Sequence, residues 1–411
     1  MTELPKGWAK STLGELVDAI REQSKIENTK TYELWSIPSF SDGAPEIIQG
    51  SEIGSSKLKV IQDDILISKI NPRINRVWLV EDSNLEQLAS PEWLVARIKD
   101  SNEIDKKFLQ FYLSSPEFRD WISRAASSVT GSHSRAKANE ILQRDIPLPP
   151  IGEQHKIVEL LEDHLSRLDA ALVDVRQAKL KAAQFRRSLL QAAFSGKLIQ
   201  ESGYGEANWA ISELGELCTF ITDGSHNPPK GIEKSEYLML SSRDINNGEL
   251  TFDKPRYLSK KDFDSENKRT DLQIDDVLLT TVGTIGRTAI YAGVPKNVTF
   301  QRSVSVLRPN KLKISSKFLM YFLDSITDLL NREARGVAQQ GIYLNQVRKL
   351  EIPVPSLEEQ LFLVELLDDH LSRLDSSFAL ADLMENQGSA LRRSLLQVAF
   401  TGQLTNEVVS V

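Results

Sequence analysis

Apolar side chains recur at alternating intervals of three and four along two long stretches of this chain, and the two stretches are copies of one another. Residues 146–198 return as residues 352–404 at a constant offset of 206 positions, with no gap and with roughly half the positions identical. In the first copy the spacing runs through Ile157, Leu161, His164, Leu168, Ala171, Val175, Ala178, Ala182, Phe185, Leu189 and Ala192. In the second it runs through Leu363, Leu367, His370, Leu374, Ser377, Ala381, Met384, Gly388, Leu391, Leu395 and Val398. This is the heptad spacing of a coiled-coil seam. The period is too long for a solenoid or propeller, so each unit must be a whole domain plus a connecting helix.

Between Ala170 and Phe185 the copies share no residue yet keep small or apolar side chains in phase, so packing is what is being kept. The ends are marked by Pro147, Pro149 and Pro150 before the first helix and Gly196 after it, and by Pro353, Pro355 and Gly402 in the second copy. Ser356 and Glu359 form a capping box that the first copy lacks, because Pro150 stands in its cap position. Each helix should run about 45 residues, roughly 65 to 70 Å at 1.5 Å per residue. A helix that long with one apolar stripe needs a partner, and the other copy is the nearest one, paired antiparallel. Packing of each helix on its own globular domain is the competing expectation. Antiparallel pairing brings Glu159, Asp163 and Asp169 near Arg392 and Arg393, and Glu365, Asp369 and Asp375 near Arg186 and Arg187.

The segments ahead of the two helices, 1–145 and 204–351, resemble each other in outline. Both open on a Trp and an LGEL turn, Trp8 with Leu13 to Leu16 and Trp209 with Leu214 to Leu217. Both carry an apolar strand introduced by two aspartates, Asp63-Asp64 and Asp275-Asp276, and both end with an aromatic-faced helix, Phe108 to Leu113 and Phe318 to Leu323. A chain of 411 residues has room for two or three cores, and the single Cys218 excludes a disulfide framework and suits a reducing cytoplasm. No apolar run approaches a membrane span, and the opening MTELPKGWAK does not read as a signal peptide. A net charge of −7 argues against a general nucleic-acid coat, so any DNA binding must use local basic clefts.

With these features the chain resembles a specificity subunit of a type I restriction–modification system. The resemblance rests on the IPLPP…EQ and IPVPS…EQ openings, the RRSLLQ closings that end in Ser195-Gly196 and Thr401-Gly402, the turn Asp223 to His226, and the run Thr281 to Gly286. It covers the whole chain in family order: recognition domain 1–145, helical region 146–203, recognition domain 204–351, helical region 352–411. The first domain departs from the pattern, with Ser68 to Arg73 where the second has Thr280 to Gly286, and with no counterpart of Asp223 to His226. The resemblance implies an α+β fold, two mixed recognition domains each followed by a long helix, the helices paired as an antiparallel coiled coil with pseudo-twofold symmetry. It implies a non-catalytic subunit that reads a bipartite, asymmetric site on double-stranded DNA. Two methyltransferase subunits would dock on it and two motor-nuclease subunits can join, with S-adenosylmethionine, ATP and Mg carried by those partners. The alternative from another class is a stand-alone coiled-coil scaffold or DNA-binding regulator.

Three other motifs read as structural. His226-Asn227-Pro228-Pro229 contains an NPP triplet of the methyltransferase kind, but Lys230 replaces the expected aromatic and no glycine-rich cofactor loop precedes it. Gly283 to Gly286 lies between two strand-like runs and reads as a turn, and Glu266-Asn267-Lys268 reads as a polar loop. No GxxxxGK(S/T) phosphate loop is present. His164 and His370 fall on the seam, where a polar residue fixes register, and His133, His155 and His226 lack zinc-ligand spacing.

Sequence-specific DNA reading needs donors at base edges and cations on phosphates. The first domain offers Lys69, Asn71, Arg73, Asn75 and Arg76 after the central strand, and Ser132, His133, Arg135 and Lys137 in a polar loop. The second offers Arg243, Thr281, Thr284, Arg287, Arg302, Gln339, Gln340 and Tyr343.

Overall fold

A computed structural model describes residues 4–126, 134–246, 248–334 and 341–406. Two helices dominate, a central one at Ile151–Phe194 and a C-terminal one at Leu357–Ala399, 44 and 43 residues long. Ser356 and Glu359 cap the second reciprocally, as the sequence predicts, with the Ser356 N–H donating to Glu359 and the Glu359 N–H to Ser356.

The chain divides into two compact units whose boundaries fall within the helices. One comprises residues 1–176 with 382–411, the other 177–381. Each unit therefore holds one globular segment and part of both helices. In the first unit the start of the central helix packs beside the end of the C-terminal helix, where Arg392 pairs with Asp169 and Arg176 with Glu385 at 3.4 Å. In the second the end of the central helix lies beside the start of the other, with Arg186 bound to Asp375 at 2.9 Å. The pairing is antiparallel in both. Asp163 and Asp369 do not cross over; they bond Arg167 and Arg373 one turn along their own helices, each at 2.9 Å.

The inward positions keep half of the seam that the apolar pattern suggests, Leu161, Leu168, Val175, Ala182 and Leu189 with their repeats, and shift the alternate positions by one residue. The positions that turn inward are Gln154, Val158, Leu161, Leu165, Leu168, Leu172, Val175, Lys179, Ala182, Arg186, Leu189 and Ala193, with their repeats 206 residues on, and all are buried or half-buried. His164, Ala171, Ala178 and Phe185 are exposed instead, as are Ser377, Met384 and Leu391, and His370 is only half-buried. The histidines therefore do not fix register from within the seam. Gly388 stands on it, where an added Cβ would come within 2.8 Å of the Leu172 side chain.

Packing on the globular segments also holds, alongside the pairing. Ile157, Val158, Leu161 and Leu165 join one core with Phe108, Leu109 and Tyr112, and Leu363, Val364, Leu367 and Leu371 join another with Phe318, Leu319 and Phe322. The repeated aromatic at each helix end completes these cores. Phe400 meets Phe108 and Tyr112 at 5.4 and 5.2 Å, and Phe194 meets Phe318 and Phe322 at 5.1 and 5.4 Å.

Each globular segment is built on a four-stranded antiparallel sheet. In the first unit the order is Val17–Ile20, Trp93–Ile98, Ile65–Ser68, Val77–Leu79; in the second it is Cys218–Asp223, Val304–Pro309, Val277–Thr280, Thr288–Ile290. A second sheet beside it mixes directions, since Thr31–Trp35 runs parallel to Glu86–Ala89, and Tyr237–Leu240 parallel to Val298–Phe300. A two-stranded ribbon closes each segment, Ala9–Thr12 with Asp145–Leu148 and Ala210–Glu213 with Glu351–Val354. Residues Glu266 to Lys268 lie within a helix, Lys260–Thr270, rather than in a loop: Ser259 caps it and the buried Phe263 anchors it.

The paired aspartates have one task in both units. Asp64 and Asp276 are fully buried and accept two bonds each from an arginine on the neighbouring strand, Arg97 at 2.7 and 2.8 Å and Arg308 at 2.9 and 2.9 Å. Asp63 and Asp275 take positive φ at the turn and bind Lys106 and Lys311, each at 2.6 Å.

Candidate nucleic-acid interface

The same backbone frame is built at one end of the main sheet in each unit. After Ser68 the chain loops out and is recaptured when the Ser68 N–H donates to the Arg76 carbonyl at 3.0 Å; after Thr280 the Thr280 N–H does the same to Arg287 at 2.8 Å. A strand-like bridge then pins a segment from just before the helical region onto each loop, Ile70 with Arg135 and Val282 with Gly341. Ala136 N–H donates to Lys69 and Ile342 N–H to Thr281, both at 2.8 Å. A third segment joins through Lys69 N–H to Glu92 at 3.0 Å and Thr281 N–H to Ser303 at 2.9 Å. In this way Lys69 comes beside Arg135, and Thr281 beside Tyr343, candidates that lie far apart in sequence.

In the first unit Lys69 reaches the Pro91 carbonyl at 2.6 Å, and burial, with Arg135 and Arg21 nearby, holds its ammonium below the usual lysine range. Arg135 forms an ion pair with Glu92 at 2.8 Å, an acid the sequence reading did not single out. Asn71 and Asn75 both take left-handed backbone, and the Asn75 amide donates to Leu113 at 2.9 Å. Arg76 is half-buried, with Nη1 enclosed and lacking a hydrogen-bond partner among the described residues. Arg73 is exposed, and Lys137 lies 3.4 Å from Glu140. Ser132 and His133 lie outside the described residues, as do Gln339 and Gln340 of the second unit.

In the second unit Thr281, Arg302 and Tyr343 converge on one cleft of about 90 Å³. Thr281 is buried, whereas Tyr343 is 54% exposed and available to a ligand. Asp223 and His226 line the same cleft, and His226 is a residue the sequence reading set aside. Thr284 and Arg287 sit on the loop beside the cleft and reach neighbouring backbone, Thr284 Oγ1 donating to Ser242 at 3.2 Å and Arg287 Nη1 to Ile245 at 3.3 Å. Arg287 also binds the Asn246 side chain. Arg243 is exposed on the turn Ser242–Asp244. Gly283 and Gly286 supply the positive φ of the turn at 84° and 89°, as expected of a GxxG run between strands.

What joins each globular segment to its long helix is the glutamine of the repeated EQ. Gln154 and Gln360 are fully buried and make matching bonds. Gln154 accepts from Asp105 N–H at 2.8 Å and donates to Glu103 and Pro149, both at 2.9 Å; Gln360 accepts from Ser315 N–H at 2.9 Å and donates to Lys313 and Pro355 at 2.9 and 3.0 Å. The repeat itself was the signal for this role. Among the described residues no group of three or more His, Cys, Asp or Glu could hold a metal ion, and no helix is long and apolar enough to cross a membrane.

Two differently furnished copies of one loop frame, each latched to paired helices, define a class of modular recognition proteins. The family described as "Type I restriction modification DNA specificity domain" matches residues 5–180 and 206–377, and the chain belongs to that family. The specificity subunit of the type I restriction enzyme EcoBI of Escherichia coli is 28% identical over 379 residues, 84% of this chain and 74% of that protein. A chain solved for "complex assembly and conformational transition of the type I R-M system" is 22% identical and covers 98% of this chain and 100% of its own, with a TM-score of 0.78. The HsdS subunit from Thermoanaerobacter tengcongensis is 22% identical, with 98% of each chain covered and a TM-score of 0.56. The fold is thus that of type I specificity subunits, with two target recognition domains.

Proposed function

We propose that each recognition domain reads one half of a bipartite, asymmetric DNA site, that the helices set the spacer between the halves, and that this chain performs no chemistry itself. One observation carries the reading: a matching backbone frame recurs with unlike side chains, Lys69, Asn71, Arg73 and Arg135 in one copy and Thr281, Thr284, Arg302 and Tyr343 in the other. A constant frame with variable furnishing is what two readers of different sequences require.

Two methyltransferase subunits are the partners we assign to the helices, with motor-nuclease subunits joining for restriction in the cytoplasm. Apolar side chains exposed along the helices support docking, among them Val173 and Leu180 on the central helix and Leu380, Leu383 and Leu391 on the C-terminal one. S-adenosylmethionine, ATP and Mg then belong to the partners, and no such group is assigned to this chain. The test is a domain exchange. Replacing residues 1–145 with the matching domain of a relative should change one half of the methylated sequence and leave the other intact. A change in both halves would refute independent reading.

A further inference from the structure

The turn Asp223 to His226 is held more firmly than a surface turn needs. Gly224 N–H donates to Val304 at 3.1 Å, Ser225 N–H to Phe300 at 2.8 Å, and Arg302 N–H to Ser225 at 2.9 Å. A Cβ on Gly224 would lie 2.2 Å from the Phe300 carbonyl oxygen, so only glycine lets the turn approach this closely. The result is that His226, 52% exposed by its side chain, stands at a fixed place in the cleft with Thr281, Arg302 and Tyr343.

The ring is also fixed in its chemistry. His226 Nε2 lies 2.7 Å from Asp223 Oδ2, and a carboxylate oxygen only accepts, so Nε2 carries the proton and donates. The other oxygen, Oδ1, is occupied by Arg269 through Nη2 and through Nε at 3.1 Å, and Arg269 Nε also reaches the Asp223 carbonyl at 2.9 Å. Arg269 Nη2 lies 3.3 Å from His226 Nε2 as well. Nδ1 has no hydrogen-bond partner among the described residues and, in the neutral ring, is an acceptor.

We propose that His226 is a base-reading residue of the second recognition domain, accepting through Nδ1 a hydrogen bond from the exocyclic amino group of adenine or cytosine, with Asp223 and Arg269 as positioning residues that set its tautomer. This rests on the reading of the domain as a DNA reader. The first domain has no equivalent of the turn, so its half-site serves as an internal control.

The arrangement makes an unusual prediction for Asp223→Asn. Arg269 only donates, so the amide oxygen, the one acceptor of the new side chain, stays on Arg269 and the NH₂ faces Nε2. Nε2 then becomes the acceptor, Nδ1 acquires the proton, and the reader turns from an acceptor into a donor. The experiment uses the full chain assembled with its methyltransferase partner on a duplex library randomised across both half-sites, sequencing the methylated molecules. The wild type should prefer adenine or cytosine at one position of the second half-site by about fivefold or more. His226→Ala should flatten that position alone, and Asp223→Asn should move its preference to guanine or thymine, whose edges accept.

Unchanged preferences in both variants would overturn the proposal, and so would a loss spread evenly over the second half-site, which is what a merely structural turn would give. A wild type without a bipartite pattern would overturn the parent reading too, so the two failures are told apart by the wild-type arm.

Discussion

The two recognition domains use the same skeleton and almost none of the same surface. In the first, the loop after the central strand turns on Asn71 and Asn75 in left-handed backbone and carries lysine and arginine, and the segment bridged to it brings Arg135, paired to Glu92. In the second the turns fall on Gly283 and Gly286, and the cleft is furnished with Thr281, Tyr343, Arg302 and the Asp223–His226 pair. Peptide groups make the bonds that the two frames share, and every residue except proline carries both an N–H and a carbonyl. Side chains on the loop are therefore free to differ without loss of the frame, whereas Asp64 and Asp276, or Gln154 and Gln360, have buried side-chain bonds to satisfy and stay the same.

The sharpest way to break this comparison is at the buried aspartates. Asp64→Ala and Asp276→Ala each remove the buried carboxylate from an arginine, and each should cost about 3 kcal/mol. Chemical denaturation should find the two costs alike, with hydrogen exchange placing each loss in its own unit. A difference between them larger than about 2 kcal/mol would mean that the frames are not the same device.

Seam substitutions come next. Leu165 and Leu371 are 6% and 3% exposed at equivalent places, so Leu165→Ala and Leu371→Ala should cost about 2 to 5 kcal/mol each. His164→Ala, one residue from the seam, should stay within about 0.5 kcal/mol. A large cost at His164 in thermal melts would restore the phase that the apolar pattern suggests.

A pH scan separates the domains further. Burial pushes the Asp324 carboxyl up to about 6, although the Thr288 hydroxyl at 2.6 Å and the Arg186 charge favour its ionised form. Counting from Phe108 and Phe318, the first unit has Ser114 there. Because the folded unit holds this proton more tightly than the unfolded chain, the stability it contributes is present below the ordinary carboxylate range and lost as pH rises through about 6. Asp324→Asn should remove that loss. An unaltered pH profile in the variant would show that another group is responsible.

The smallest effects belong to the crossing ion pairs. Arg186→Ala and Arg392→Ala should each cost between about 0 and 1 kcal/mol, less at high salt, because their carboxylate partners are exposed. A double-mutant cycle with Asp375→Ala or Asp169→Ala measures it.

Much of this architecture was legible in the chain. The repeat gave the two long helices, their capping and their antiparallel pairing, and the Asp169 and Asp375 partners followed from charge alone. The alternate positions of the seam did not follow, because Lys179, Arg186, Glu385 and Arg392 occupy inward positions through their long stems, while Phe185 and Leu391 face outward. A count of apolar residues therefore favours the wrong neighbour by one place. The helix Lys260–Thr270 was hidden for a similar reason, since Phe263 is its one large apolar anchor. At the candidate interface the residue types were visible but not their meeting. Ile70 finds Arg135, and Val282 finds Gly341, through backbone bonds that leave no side-chain signature. Glu92 gains its interest from Arg135, and His226 from Arg269, Arg302 and Tyr343 as well as from nearby Asp223, so most of these neighbours are distant in sequence.

The way each long helix contributes to both units also bears on how the protein is made. The second unit is one uninterrupted stretch, Gln177–Ala381, so all of its contacts are available once Ala381 has left the ribosome. The first unit was begun earlier but at that point still lacks Leu396, Ala399 and Phe400, which close the core around Phe108 and Tyr112 and follow Ala381 in the chain. Until they emerge that apolar surface stays open on the nascent chain, so the unit begun before its neighbour is completed after it.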